Sequence, residues 1–159
     1  MSGGNGATKL RSGSSPASSL TPSIRMLGFD LMQSTAALLF SVTIAAAVLF
    51  QLALAAGAPW GTYAMGGTHQ GRLPAPLRLA AVVQAALLAV MAGVVLARAD
   101  VLLSGWTSTS QWLIWVVVAF SAISLGLNLM TPSAAERRIW APVAVLLVVS
   151  SVIVALGPH

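Results

Sequence analysis

Four apolar runs divide this 159-residue chain, over about 31–56, 76–98, 112–130 and 140–156, and their interiors hold no Asp, Glu, Lys or Arg. A helix rises about 1.5 Å per residue, so roughly 20 apolar residues cross about 30 Å of hydrocarbon. In lipid a helix satisfies its own backbone hydrogen bonds, which an isolated strand cannot do. The predicted fold is therefore all-α, a transmembrane bundle of four helices preceded by a flexible N-terminal tail. Composition agrees: 57% of residues are apolar and 7% charged, against about 25% charged in a soluble domain.

The three acids (Asp30, Asp100, Glu136) and the eight bases lie outside the runs or at their rims. The net charge of +5 is spread over Lys9, Arg11, Arg25, Arg72, Arg78, Arg98, Arg137 and Arg138. These form no stripe, so lipid headgroups rather than nucleic acid are the expected partner. Without cysteine, disulfides, thiolate metal sites and thiol catalysis are excluded.

Residues 1–29 are rich in Ser, Gly and Pro and are read as a disordered tail that cannot bury enough surface to offset its ordering entropy. The tail has Arg and Ser and no acid, as a transit peptide would, but lacks an amphipathic face. The domain proper is 30–159. Ala53, Ala55 and Ala56 resemble a signal-peptide cleavage site, yet the first run is longer than a signal peptide's and three more spans follow, which favours an uncleaved span. Segment 57–76, with five glycines and three prolines, is an external loop.

Ser133 followed by Glu136 has capping-box spacing, so a short interfacial helical turn is predicted there. Pro142 lies too deep for a first turn, and a kink or fresh start is expected near Trp140. Trp60, Tyr63, Trp106, Trp112 and Trp140 fall near span ends, where amphipathic rings favour the headgroup layer. The strings Arg72-Leu73-Pro74-Ala75-Pro76 and Arg138-Ile139-Trp140-Ala141-Pro142 hint at a duplicated hairpin, with chance an equal explanation.

Ala81, Ala85, Ala89, Gly93 and Ala97 recur every four residues, a small-residue stripe suited to close helix packing in lipid. It is read as packing of the first two helices within one bundle, ahead of a homodimer face or a contact with a partner membrane subunit. Polar residues within the spans are few: Gln51, Gln84, Ser121, Ser124, Asn128, Ser150 and Ser151. Ser124 and Asn128 share a helix face. The loop collects Trp60, Tyr63, His69, Gln70, Arg72 and Arg78; with Gln84 and Asn128, all but Gln70 are the candidate ligand-binding residues. His69 has no orienting carboxylate nearby and pairs with His159 in no metal spacing. No catalytic residue, metal or cofactor is assigned.

At Gly57-Ala58-Pro59-Trp60-Gly61, Gly66-Gly67, Gly71-Arg72-Leu73-Pro74 and Arg78, followed by Asn128 and Glu136-Arg137, the chain resembles an uncharacterised family of small four-span bacterial integral membrane proteins. The resemblance covers about 35–156 and implies a multi-pass protein of the bacterial plasma membrane, without an activity. The rim arginines leave the orientation open. The leading expectation is a structural or interaction subunit. A small membrane enzyme or lipid-binding protein using the 57–78 loop comes next, and a dimeric transporter subunit third. Convergence of Gln84, Ser124, Asn128 and the loop on one cavity is the telling observation, and a large cavity with a lipid-like or elongated ligand would favour the second.

Overall fold

The computed structural model describes residues 16–102 and 107–157 and is all-α over them. Its helices are α1 (Pro16–Ala56), α2 (Ala75–Arg98), α3 (Thr107–Met130) and α4 (Ala134–Leu156), with two single 3-10 turns, Gly61–Tyr63 and Met65–Gly67, in the first loop. Each of the four helices is long and apolar enough to cross a membrane, α1 over Met26–Ala56. The outer faces carry Leu38, Val42, Val83, Val90, Ile123 and Leu127, all exposed. A water-soluble bundle turns polar side chains outward; these faces match hydrocarbon.

Three boundaries differ from the sequence expectation. The first 15 residues of the expected tail lie outside the described residues, but helix α1 already begins at Pro16, upstream of Leu31. Pro suits a first helical turn, and once the apolar span has met the cost of nucleation, extension through Leu20, Arg25, Met26 and Leu27 is cheap enough to carry Pro22 and Gly28. Helix α3 starts at Thr107 rather than Trp112, and Ser110 is buried in this added turn. Of the kink or fresh start expected near Trp140, the fresh start is absent: α4 runs as one helix from Ala134 to Leu156 with Pro142 inside it. Pro142 lies nine residues into α4, whereas Pro76 lies in the first turn of α2. The two Arg-to-Pro strings therefore occupy different helical positions.

The helices form a ring in which α1 packs on α2, α3 on α4 and α1 on α4, and the α2–α3 interface is the loosest of the four. Phe40, Ile44, Val95, Ile114, Val117, Leu147 and Val154 make the main core. A second cluster of Leu54, Ala64, Leu73 and Ala81 ties the loop to the α1–α2 hairpin.

The small-residue stripe is only partly buried. Ala81, Ala85 and Ala97 are buried, Ala89 is exposed, and a methyl added at Gly93 would touch nothing within 4 Å. A four-residue repeat drifts around a helix of 3.6 residues per turn; the buried line is instead Ala81, Ala85, Leu88, Met91 and Val95. Ala85→Leu is therefore expected to lower stability by about 1–2 kcal/mol through overpacking, and Ala89→Leu to change it by less than about 0.5 kcal/mol. Thermal unfolding in detergent reads the difference, and equal effects would place the α1–α2 contact elsewhere.

Candidate functional site: a polar cavity beneath the first loop

The loop is built on helix ends. At the C-terminus of α1, Gly57 has φ +96°; its N–H donates to Leu54 O (3.0 Å) and the Ala58 N–H to Ala53 O (2.9 Å). This pair of bonds is a Schellman cap. The adjacent Ala55 carbonyl accepts Arg78 Nε at 2.7 Å. Two other helix ends receive arginines in the same way: Arg98 Nη2 donates to Gly157 O (3.0 Å) after α4, and Arg137 Nη1 to Thr131 O (3.1 Å) after α3. Cations suit helix C-termini because unsatisfied carbonyls and the helix dipole converge there.

Beyond Gly57 the chain folds over the bundle. The Gly61 N–H donates to Gly71 O at 2.9 Å, pinching the loop closed. Ser133 Oγ donates to Thr62 O (3.3 Å) and Trp140 Nε1 to Tyr63 O (2.8 Å), tying the loop to the start of α4. Ser133 also caps α4, accepting the Glu136 N–H at 3.2 Å. The Glu136 carboxylate accepts Thr131 Oγ1 at 2.8 Å.

Beneath the loop lies a cavity of about 440 Å³ that touches all four helices, within the usual range for small-molecule pockets. Its polar lining is Gln51, Gln84, Ser124, Asn128, Thr131 and Glu136; Ala64, Met65 and Gly66 cover it, and Phe50, Leu88, Trp140, Val143 and Leu147 supply apolar walls. Gln51 is only 8% exposed, and among the described residues its Oε1 has no hydrogen-bond partner. The Asn128 amide nitrogen donates to Ser124 O at 2.8 Å. Counting residues from the helix ends, Gln51 lies about 8 Å and Gln84 about 13 Å into the bundle, while Thr131 and Glu136 stand at its rim.

Gln84, Leu127 and Met130 line the cavity yet are exposed. They mark a lateral mouth between α2 and α3, where the ring is loosest. On the opposite side, between α1 and α4, an apolar groove of about 600 Å³ runs along Val42, Ala46, Trp60, Tyr63, Ile139 and Leu146. Phe50, stacked on Trp60 (ring centroids 5.9 Å apart) and edge-on to Trp140 (4.8 Å), separates groove from cavity.

Of the candidate ligand-binding residues, Gln84 and Asn128 line the cavity. Trp60 and Tyr63 line the outer groove. The Arg78 guanidinium is held at the end of α1, Arg72 is exposed, and His69 Nδ1 lies 3.0 Å from Thr68 Oγ1; none of these three lines either space. Gln51, Thr131 and Glu136 belong to the site and were not singled out as ligand-binding. The available signal was that Gln51 and Ser124 are polar within apolar spans. Glu136 reads as a cap in sequence, and only the fold of α4 against α3 turns it toward the cavity. Among the described residues no group of acids and histidines could hold a metal ion.

Compared with known proteins, the chain matches no family model, no curated protein and no solved structure.

Proposed function

We propose that the protein binds a lipid-like amphiphile, whose polar end enters the cavity sideways between α2 and α3 while its apolar chain stays against Leu127, Met130 and the surrounding lipid. The observation that carries this reading is the convergence of Gln51, Gln84, Ser124, Asn128 and Glu136, from all four helices, on one cavity with a lateral mouth. Polar side chains within spans are costly in lipid. Local hydrogen bonds account for Asn128 and Ser124, but leave the Gln51 carbonyl unmatched. Glu136 is the one titratable group among the lining residues, so the site favours binding over acid–base catalysis, which commonly uses two such groups. The loop resemblance to small bacterial four-span proteins supports the bacterial plasma membrane as the location.

Ser124→Phe fills the cavity from the α3 side. Lipid-like molecules retained by the purified protein, read by mass spectrometry, are expected to be largely lost in this variant while helicity and elution stay as in the wild type. Undiminished retention would sink the reading. A second role, as a homodimer or as an interaction subunit beside a partner, is favoured by the uncovered face of Ala86, Ala89 and Gly93 on α2, against which another helix can approach closely.

A further inference from the structure

We infer that the bound amphiphile carries a primary ammonium group, with Glu136 as its counter-charge; this rests on the cavity reading above. Glu136 is the only charged side chain among the lining residues. Its neighbours in sequence are not among the lining residues: Arg137 donates to the Thr131 carbonyl at the rim and Arg138 is exposed. One Glu136 oxygen accepts the Thr131 hydroxyl, and the other has no hydrogen-bond partner among the described residues.

The cavity offers acceptors beside the Glu136 carboxylate, and the Gln51 and Gln84 amides bring donors as well. Gln51 Oε1 is buried without a partner among the described residues, and the Asn128 amide nitrogen is held by Ser124, which leaves the Asn128 oxygen. The Glu136 carboxylate calls for a positive charge, and a group that also brings donors can bond both it and the Asn128 oxygen. A primary ammonium has three N–H donors, a trimethylammonium has none, an alcohol brings no charge, and a phosphate or carboxylate facing Glu136 is repelled. The Phe50 and Trp140 rings line the same space and suit a cation of either kind, so they add to the charge argument and not to the choice between primary and quaternary ammonium. Two sources share this chemistry: an aminoethyl phospholipid of the bilayer and a free long-chain amine.

The test uses the full chain in phosphatidylcholine nanodiscs with three C12 probes, an amine, a trimethylammonium and an alcohol, each bearing a diazirine. Photolabelling is mapped by peptide mass spectrometry and normalised to lipid-facing Leu38 and Val90, which line neither the cavity nor the groove. Labelling of Gln84, Leu127 and Met130 by the amine is expected to exceed that by the alcohol about tenfold, the worth of a charge-assisted hydrogen bond. In Glu136→Gln, which keeps the backbone cap and an acceptor for Thr131, the amine should fall to the level of the alcohol, and in wild type the trimethylammonium should stay below the amine. Equal cavity labelling by amine and alcohol in the wild type overturns the ammonium assignment and leaves the cavity reading standing. If no probe labels the cavity residues, both fall. Where the amine is favoured, adding phosphatidylethanolamine to the nanodiscs separates the sources: suppression of amine labelling identifies the bilayer lipid, and undiminished labelling identifies the free amine.

Discussion

Gly61→Ala is expected to lower stability by about 2–5 kcal/mol, which combines an overpacking term with a weakened buried hydrogen bond. A Cβ at this position would stand 2.5 Å from His69 O and 2.9 Å from Gly71 O. Both are backbone atoms, and Gly71 O is held by the Gly61–Gly71 hydrogen bond itself, so neither can swing aside as a side chain would. Relief requires the 69–71 segment to lift, exposing Ala64 and Leu73, which are buried against Leu54 and Ala81. Because Ala64, Met65 and Gly66 also cover the cavity, the variant should lose retained amphiphile along with stability. Gly93→Ala is the matched control: its methyl meets nothing, and removing a helix-interior glycine should leave stability unchanged or raise it by up to about 1 kcal/mol. Thermal unfolding of both variants in one detergent reads the contrast, and equal melting temperatures would mean the loop is not pinned at Gly61.

The four spans were legible because hydropathy and charge placement act at the scale of whole helices, and lipid allows few alternatives. Helix starts were less legible. The first turns of α1 and α3, ahead of the apolar spans, are polar or contain Pro and Gly, and an existing helix propagates through them at little cost. The unbroken α4 has a similar explanation, since one missing hydrogen bond at Pro142 is small beside the packing of its neighbours Ala144 and Leu147 in the bundle interior. Arg78 reads in sequence as a ligand-binding cation because nothing local says otherwise. Its partner, the Ala55 carbonyl, is 23 positions away and is exposed as an acceptor only once the cap at Gly57 has formed.

The same limit applies to the cavity. Gln51, Gln84, Asn128 and Glu136 come from four helices, so their meeting depends on helix rotation and ring order, which periodicity does not specify. The capping role of Glu136 was readable from its spacing to Ser133, and the fold preserves the Ser133 half of it. What no spacing rule reveals is that the carboxylate leaves the cap for Thr131 and so borders the cavity.

Gln51→Leu is expected to raise stability by about 1–3 kcal/mol while abolishing retention of the amphiphile. A buried carbonyl without a hydrogen bond carries its desolvation cost in the empty protein, and Gln51 Oε1 is in that position among the described residues. Leucine has similar bulk and no polar atom, and it would extend the wall already formed by Ala47, Phe50 and Leu88. A polar side chain adds nothing to packing here, whereas one whose hydrogen bond forms only with a ligand makes the unbound state less stable. Stability and binding should therefore move in opposite directions, a pattern that general damage to the fold does not produce. Melting temperature and retained lipid-like mass are measured on the same preparation. A variant that is less stable and still retains its amphiphile would show the Gln51 amide to be a structural bond within the bundle, and would move the binding determinant to Gln84 and Asn128.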